Sequence, residues 1–216
     1  MKQHSGCGYS IVIHSHTMLR IEEYAEALCR NGGSIAGRRL QRALSGVEAP
    51  SPEQLLTALL NSKSPLIFAE SMVYGDGRDW TSRELSILGD IGVEAAVTIY
   101  DNGDHTNPIA HSPPFMGNLL FIPGALLRND TGGQPADWDS LVKKGEIDQI
   151  SLDVLYERRL LPLFIHASQL AEKGGSQAFI TVPGIGCGQF AGPFRGRMAE
   201  HLKRSIAAML HRHSNR

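Results

Sequence analysis

Apolar positions along the chain fall into short runs whose spacing alternates between strand-like and helix-like. Tyr9 to His14 is a short β-branched run after a glycine and predicts a first strand. Helical spacing follows from about Arg20 to Arg30, stopped by Gly32-Gly33, and a second helix covers roughly Ile35 to Leu44. Ser51-Pro52-Glu53-Gln54 opens a third. Ser51 can cap, Pro52 suits the first helical position, and Gln54 can close a capping box, so a helix is expected to about Asn61.

Pro65 to Val73 reads as a strand closed by Gly75-Asp76-Gly77. Thr81-Ser82-Arg83-Glu84 is a second capping box and starts a short helix. Val93 to Tyr100 reads as a buried strand, and Asp101 to His105 is polar and turn-forming. A proline-rich loop through Pro113-Pro114 then leads to a strand at Leu119 to Ile122, and Arg128 to Asp139 reads as a surface loop. A long helix is expected after Ser151 to about Glu172, with Pro162 kinking or splitting it and Gly174-Gly175 ending it. Ala178 to Val182 is the last strand. The final helix starts at Pro193 or just after, with Met198, Leu202, Ile206, Met209 and Leu210 as its apolar stripe.

This alternation predicts an α/β fold, a mostly parallel or mixed sheet with helices on both faces. Residues 1–64 are expected to form a βααα addition packed on a core of residues 65–216. In such sheets ligands gather beyond the carboxyl ends of the strands.

Composition adds bounds. The 216 residues suffice for one sizeable α/β domain, and 42% apolar with 20% charged residues is ordinary for a folded protein. A formal net charge of −1 implies no broad attraction to nucleic acid or membrane. Arg38, Arg39 and Arg42 read as a solvated helix face. Cys7, Cys29 and Cys187 are too few and too scattered for a disulfide framework or a zinc knuckle, which suggests a reducing, cytoplasm-like setting. No apolar run reaches the roughly 18 residues of a membrane span, and Met1 to Gly8 lacks the features of a signal peptide.

The most informative stretch is Val182-Pro183-Gly184-Ile185-Gly186-Cys187-Gly188-Gln189-Phe190-Ala191-Gly192. Glycines at 184, 186 and 188 remove side chains at alternate positions, so backbone N–H groups can approach an anion, and a helix near Pro193 adds its dipole. Phosphate is the anion such devices serve. No Gly-Lys-Ser/Thr follows, so this is not a P-loop. The same glycines could serve packing alone. Cys187 could be a nucleophile at the loop or could pack beneath it, and Phe190 could face a ribose, a diphosphate or the core. Asp101, Asp104 and His105 are candidate acid/base groups, Asp104 first, although a turn also favours these residue types. Trp80 and Trp138 could stack a base but suit ordinary packing. His14 and His16 are a weak metal candidate, and His211 with His213 a solvated helix end. No metal or cofactor is expected.

Gly186-Cys187-Gly188-Gln189-Phe190-Ala191-Gly192, with the helix bearing Leu152 and Tyr156 and the strand Phe179 to Pro183, resembles the diphosphate loop and C-terminal half of macrodomains. The loop is most similar to that of poly(ADP-ribose) glycohydrolase-type members. Val73-Tyr74-Gly75-Asp76 and Asp79-Trp80-Thr81 resemble the Gly-Asp element whose aspartate meets adenine, which implies that role for Asp76 or Asp79. Ala95 to Asn102 resembles the strand leading to the ribose loop, so Asn102 is implied to face the distal ribose. The family's glycine-rich catalytic loop and the paired glutamates of the glycohydrolases are missing.

The resemblance implies a three-layer α/β/α macrodomain with a mixed sheet. It also implies binding of ADP-ribose or ADP-ribosylated protein through Gly184, Ile185, Gly186, Cys187, Gly188, Gln189 and Phe190. Hydrolytic removal of ADP-ribose from a target is the expected activity. The alternatives are a reader without turnover and an unrelated hydrolase using Cys187.

Overall fold

The computed structural model describes residues 8–62, 79–104, 106–128 and 134–214. The expected strand from Pro65 to Val73, together with Asp76 and His105, lies outside the described residues.

A three-stranded antiparallel ladder runs in the order β1 (Ser10–Val12), β2 (Gly92–Asp101), β3 (Ala110–Phe121). Ile11 pairs with Val93, and Val93 with Phe121. Neighbouring strand residues point to opposite faces, and β1 shows the consequence. Ile11 joins a core built from α1 (Ser15–Arg30), α2 (Arg38–Leu44), α3 (Pro52–Asn61) and α4 (Ser82–Gly89). Val12 joins a second core with α6 (Gln149–Lys173) and α7 (Met198–His213). The sheet therefore separates two helical layers, and the chain is an α/β protein. No helix among the described residues is long and apolar enough to cross a membrane.

Where the local signals are strong, the elements begin as expected. Ser51 and Thr81 both form complete capping boxes, with Gln54 and Glu84 reaching back to the cap N–H groups. α1 starts earlier than expected, at Ser15, because the His14 ring accepts the His16 N–H and caps it. α6 runs unbroken through Pro162. Buried Leu160, Leu161 and Leu163 flank the proline, and each such burial, worth about 1.5–3 kcal/mol, offsets its cost of about 3 kcal/mol.

Four expectations are corrected. The loop through Pro113-Pro114 is part of β3; its prolines lie beside the register shift between Ile99 and Asp101, where the ladder asks for no N–H donor. Beyond Arg128 the chain is not simply a loop: α5 (Trp138–Leu141) is followed by a hairpin of β4 (Val142–Lys143) and β5 (Glu146–Ile147). Lys144 and Gly145 turn that hairpin with φ of 53° and 81°. Residues 178–182 form no strand and have no ladder partner among the described residues, whose ladders are all antiparallel. Finally, α7 starts at Met198 and not at Pro193, because Gly192 and Gly196 take φ of 54° and 87°, which a helix cannot continue.

Candidate functional site

The glycine loop meets α6 at the Tyr156 hydroxyl and is braced internally by backbone hydrogen bonds. Ile185 N–H donates to Pro183 O at 2.7 Å and Cys187 N–H to Gly184 O at 3.0 Å. These tight turns use every second amide. The N–H groups between them, on Gly184, Gly186 and Gly188, have no acceptor among the described residues. A 3-10 segment, Gln189–Phe194, kinked at Gly192, follows directly. Because α7 begins only at Met198, its dipole is set back from the loop, and an anion placed here would meet the amides themselves.

The glycines divide by environment. A Cβ on Gly188 would meet nothing within 4 Å, so this position faces open space. A Cβ on Gly186, whose φ is +73°, would come within 2.9 Å of Ala125 N and 3.0 Å of the Tyr156 hydroxyl. One on Gly192 would lie 2.5 Å from Leu127 O. Gly186 and Gly192 are therefore required for close packing, while Gly188 is not.

The packing partner is the segment after β3. Leu127 N–H donates to Phe190 O at 2.8 Å. Tyr156, on α6, accepts from Ala125 N–H at 3.4 Å and donates to Ile185 O at 3.0 Å. Burial pushes the Tyr156 phenol up to about 12, so it remains a donor at neutral pH. One turn along α6, Arg159 is fully buried. It donates to Gly124 O at 2.8 Å, to Asp90 at 3.0 Å and to Asp137 at 2.9 Å. Asp137 in turn accepts from Leu126 N–H at 2.9 Å. Burial would raise the Asp90 carboxyl, but the guanidinium groups of Arg159, Arg158 and Arg20 outweigh it and hold it below its ordinary value.

Among the described residues the loop borders a cleft of about 1160 Å³, walled by Pro183, Ile185 and Phe190 on one side and by Gly124, Leu126 and Asn118 on another. It is mostly apolar and large enough for a nucleotide-sized ligand. Cys187 is half-buried; its thiol lies 3.8 Å from Ile185 O, and burial pushes its pKa up, which disfavours the thiolate.

The other expected residues sit on other elements. Asp101, Asn102 and Asp104 occupy the exposed tip of the β2–β3 hairpin. Asp101 accepts from Gly103 N–H at 2.8 Å, and Asn102 from Ile109 N–H at 2.9 Å. The Thr106 hydroxyl and the N–H groups of Thr106 and Asn107 hold the Asp104 carboxyl below the usual carboxylate range. Asp79 pairs with Arg38 at 3.0 Å and Arg39 at 3.4 Å, beside the first helical core. Trp80 is buried with its Nε1 donating to Ser62, and Trp138 packs against Phe194, so both tryptophans serve the core. His213 pairs with Glu157 and is no frayed end. Among the described residues no group of three or more His, Cys, Asp or Glu side chains could hold a metal.

Sequence reasoning missed Gly124, Arg159, Asp137 and Asp90. One signal was present: Leu152, Tyr156, Arg159 and Leu163 recur at helical spacing, which puts an arginine on the buried stripe of α6. A charge in that position needs carboxylate partners.

A three-layer α/β fold with a glycine loop of free amides over its last helical layer is the architecture of a macrodomain. A family model described as "Macrodomain effector MavL" matches residues 9–216, and the chain belongs to that family. No curated protein matches it. Membership in a macrodomain family agrees with the ADP-ribose binding that the loop resemblance implies.

Proposed function

We propose that this macrodomain binds ADP-ribose, free or attached to a protein, and removes it from the protein in a reducing, cytoplasm-like setting. The diphosphate lies against the backbone between Gly186 and Phe190, with adenine toward Asp76 or Asp79 and the distal ribose toward Asn102 and Asp104. The observation that carries this reading is the pair of free N–H groups on Gly186 and Gly188, which flank Cys187, whose own amide is used in a turn. Such amides stabilise a diphosphate without a compensating cation.

In the hydrolytic step a water oxygen bonds to the anomeric carbon and the bond to the target side chain breaks. The leaving group takes up a proton, and the water gives one to a carboxylate base. Asp104 is the proposed base. Cys187 is a poor nucleophile at neutral pH, because burial keeps its thiol protonated.

A second reading, a module that binds ADP-ribose without turnover, is favoured by one observation. Three hydrogen bonds from the hairpin turn hold Asp104 in its weakly basic, ionised form. The two readings part in one experiment. ADP-ribosylated protein is incubated with wild type and with Asp104→Ala, and released ADP-ribose is measured. Release by wild type alone supports hydrolysis through Asp104. Release by neither, with ADP-ribose binding intact in both, supports the reader.

A further inference from the structure

Two peptide units meet at α6, and the hydroxyl of Tyr156 touches both. In the Gly124–Ala125 unit the carbonyl accepts from Arg159 at 2.8 Å, and the N–H donates to the Tyr156 oxygen at 3.4 Å. Both ends of that unit are therefore held by side chains one helical turn apart. In the Ile185–Gly186 unit the carbonyl accepts from the same hydroxyl at 3.0 Å. A trans peptide points its C=O and N–H in opposite directions. With Ile185 O drawn toward Tyr156, the Gly186 N–H is turned away from it.

This orientation is not dictated by the chain itself. Glycine follows the peptide, and glycine accepts φ of either sign. A rotation of this peptide unit would exchange the free N–H for a carbonyl oxygen, and a carbonyl dipole repels an anion where an amide attracts it. What the structure supplies against that rotation is the Tyr156 hydroxyl on one side and the backbone of Gly124 on the other. The second contact is close enough that a methyl on Gly124 would lie 2.3 Å from Gly186 N.

We propose that Tyr156 is a positioning residue: its hydroxyl sets the Ile185–Gly186 peptide in the orientation that offers the Gly186 N–H to the diphosphate, with Arg159 fixing the neighbouring peptide from which it works. The proposal rests on the reading of the glycine loop as an ADP-ribose diphosphate site. Tyr156 does not touch the ligand; it acts through the backbone.

Tyr156→Phe in the full chain removes only the hydroxyl. Tyr24→Phe is the matched control, because Tyr24 is also buried and donates its hydroxyl at 2.7 Å, to Glu84 in the other core. Calorimetry with ADP-ribose should show affinity about tenfold weaker in Tyr156→Phe, the effect of one well-placed hydrogen bond. Tyr24→Phe should bind as wild type does while losing a similar amount of thermal stability. In the unliganded protein, the amide NMR signal of Gly186 should shift in Tyr156→Phe and stay in place in Tyr24→Phe. Wild-type affinity in Tyr156→Phe, or equal weakening in both variants, would overturn the proposal. If wild type itself does not bind ADP-ribose, the functional reading falls. The Gly186 signal then decides the orienting role alone: a shift specific to Tyr156→Phe upholds it, and an unmoved signal sinks it.

Discussion

Gly124 and Gly186 meet backbone to backbone: a Cβ on Gly124 would stand 2.3 Å from Gly186 N and 2.5 Å from its Cα. Neither partner is a flexible side chain that could swing aside. Gly124→Ala must therefore displace one loop from the other. It should lose about 1–3 kcal/mol of stability by overpacking and weaken ADP-ribose binding as well. Urea unfolding and calorimetry on the same sample check this, and a variant equal to wild type in both would refute the close contact.

Arg159 is buried among two carboxylates and a carbonyl, so its removal leaves Asp90 and Asp137 with less compensation. Arg159→Met keeps much of the volume and deletes the charge. Breaking a buried pair in this way costs about 3–5 kcal/mol, read as a lower urea midpoint at unchanged slope. A loss under about 1 kcal/mol, the size of a surface pair, would contradict the structural importance of the hub.

The same hub gives an acid limb to the stability curve. The Asp90 carboxyl lies below its ordinary value of 3.8 in the folded protein. A group whose folded pKa is depressed contributes stability that is fully present above its unfolded value and lost as pH falls through its folded value. Unfolding free energy should thus drop below about pH 3.8. Asp90→Asn, compared over the same range, should show a shallower fall. An identical slope in both proteins would exclude Asp90 as a contributor.

Asp104 sits at a hairpin tip with its carboxylate used by Thr106 and Asn107. Asp104→Ala should leave the sheet and the glycine loop intact. Release of ADP-ribose should be lost, while ADP-ribose affinity stays within about threefold of wild type, because the proposed base acts on the water in the hydrolytic step and not on ligand affinity. A tenfold loss of affinity would make Asp104 a binding residue and contradict its assignment as the base.

Local signals in the sequence were readable, and those set by distant contacts were not. The capping boxes at Ser51 and Thr81 are complete within four residues, and both helices begin where expected. The loop glycines were legible for the same reason. The full length of β3 was hidden, because its prolines are tolerated only through the register shift against β2. Arg159 was hidden for a related reason: Asp90 lies 69 residues before it and Asp137 22 residues before it. The late start of α7 depends on positive φ at Gly192 and Gly196, and at Gly192 that conformation is imposed by the approach of Leu127 O. The hairpin tip is ambiguous for another reason. Its Asp-Asn-Gly-Asp composition reads equally well as chemistry or as turn geometry, and hydrogen bonds within the turn account for every acidic side chain described there.

The most direct test is an ADP-ribose titration of wild type beside Gly188→Glu. Gly188 has open space where a side chain would go, and its φ of −85° with ψ of −128° lies outside the regions that side chains favour, so the variant should fold with a stability loss of about 1–3 kcal/mol. Its carboxylate would stand where the diphosphate is proposed to lie, and like charges there exclude the ligand. Calorimetric binding by wild type with none by Gly188→Glu is the expected result. Silence from wild type at millimolar ADP-ribose, or undiminished affinity in Gly188→Glu, would contradict the assignment of this loop as the diphosphate site.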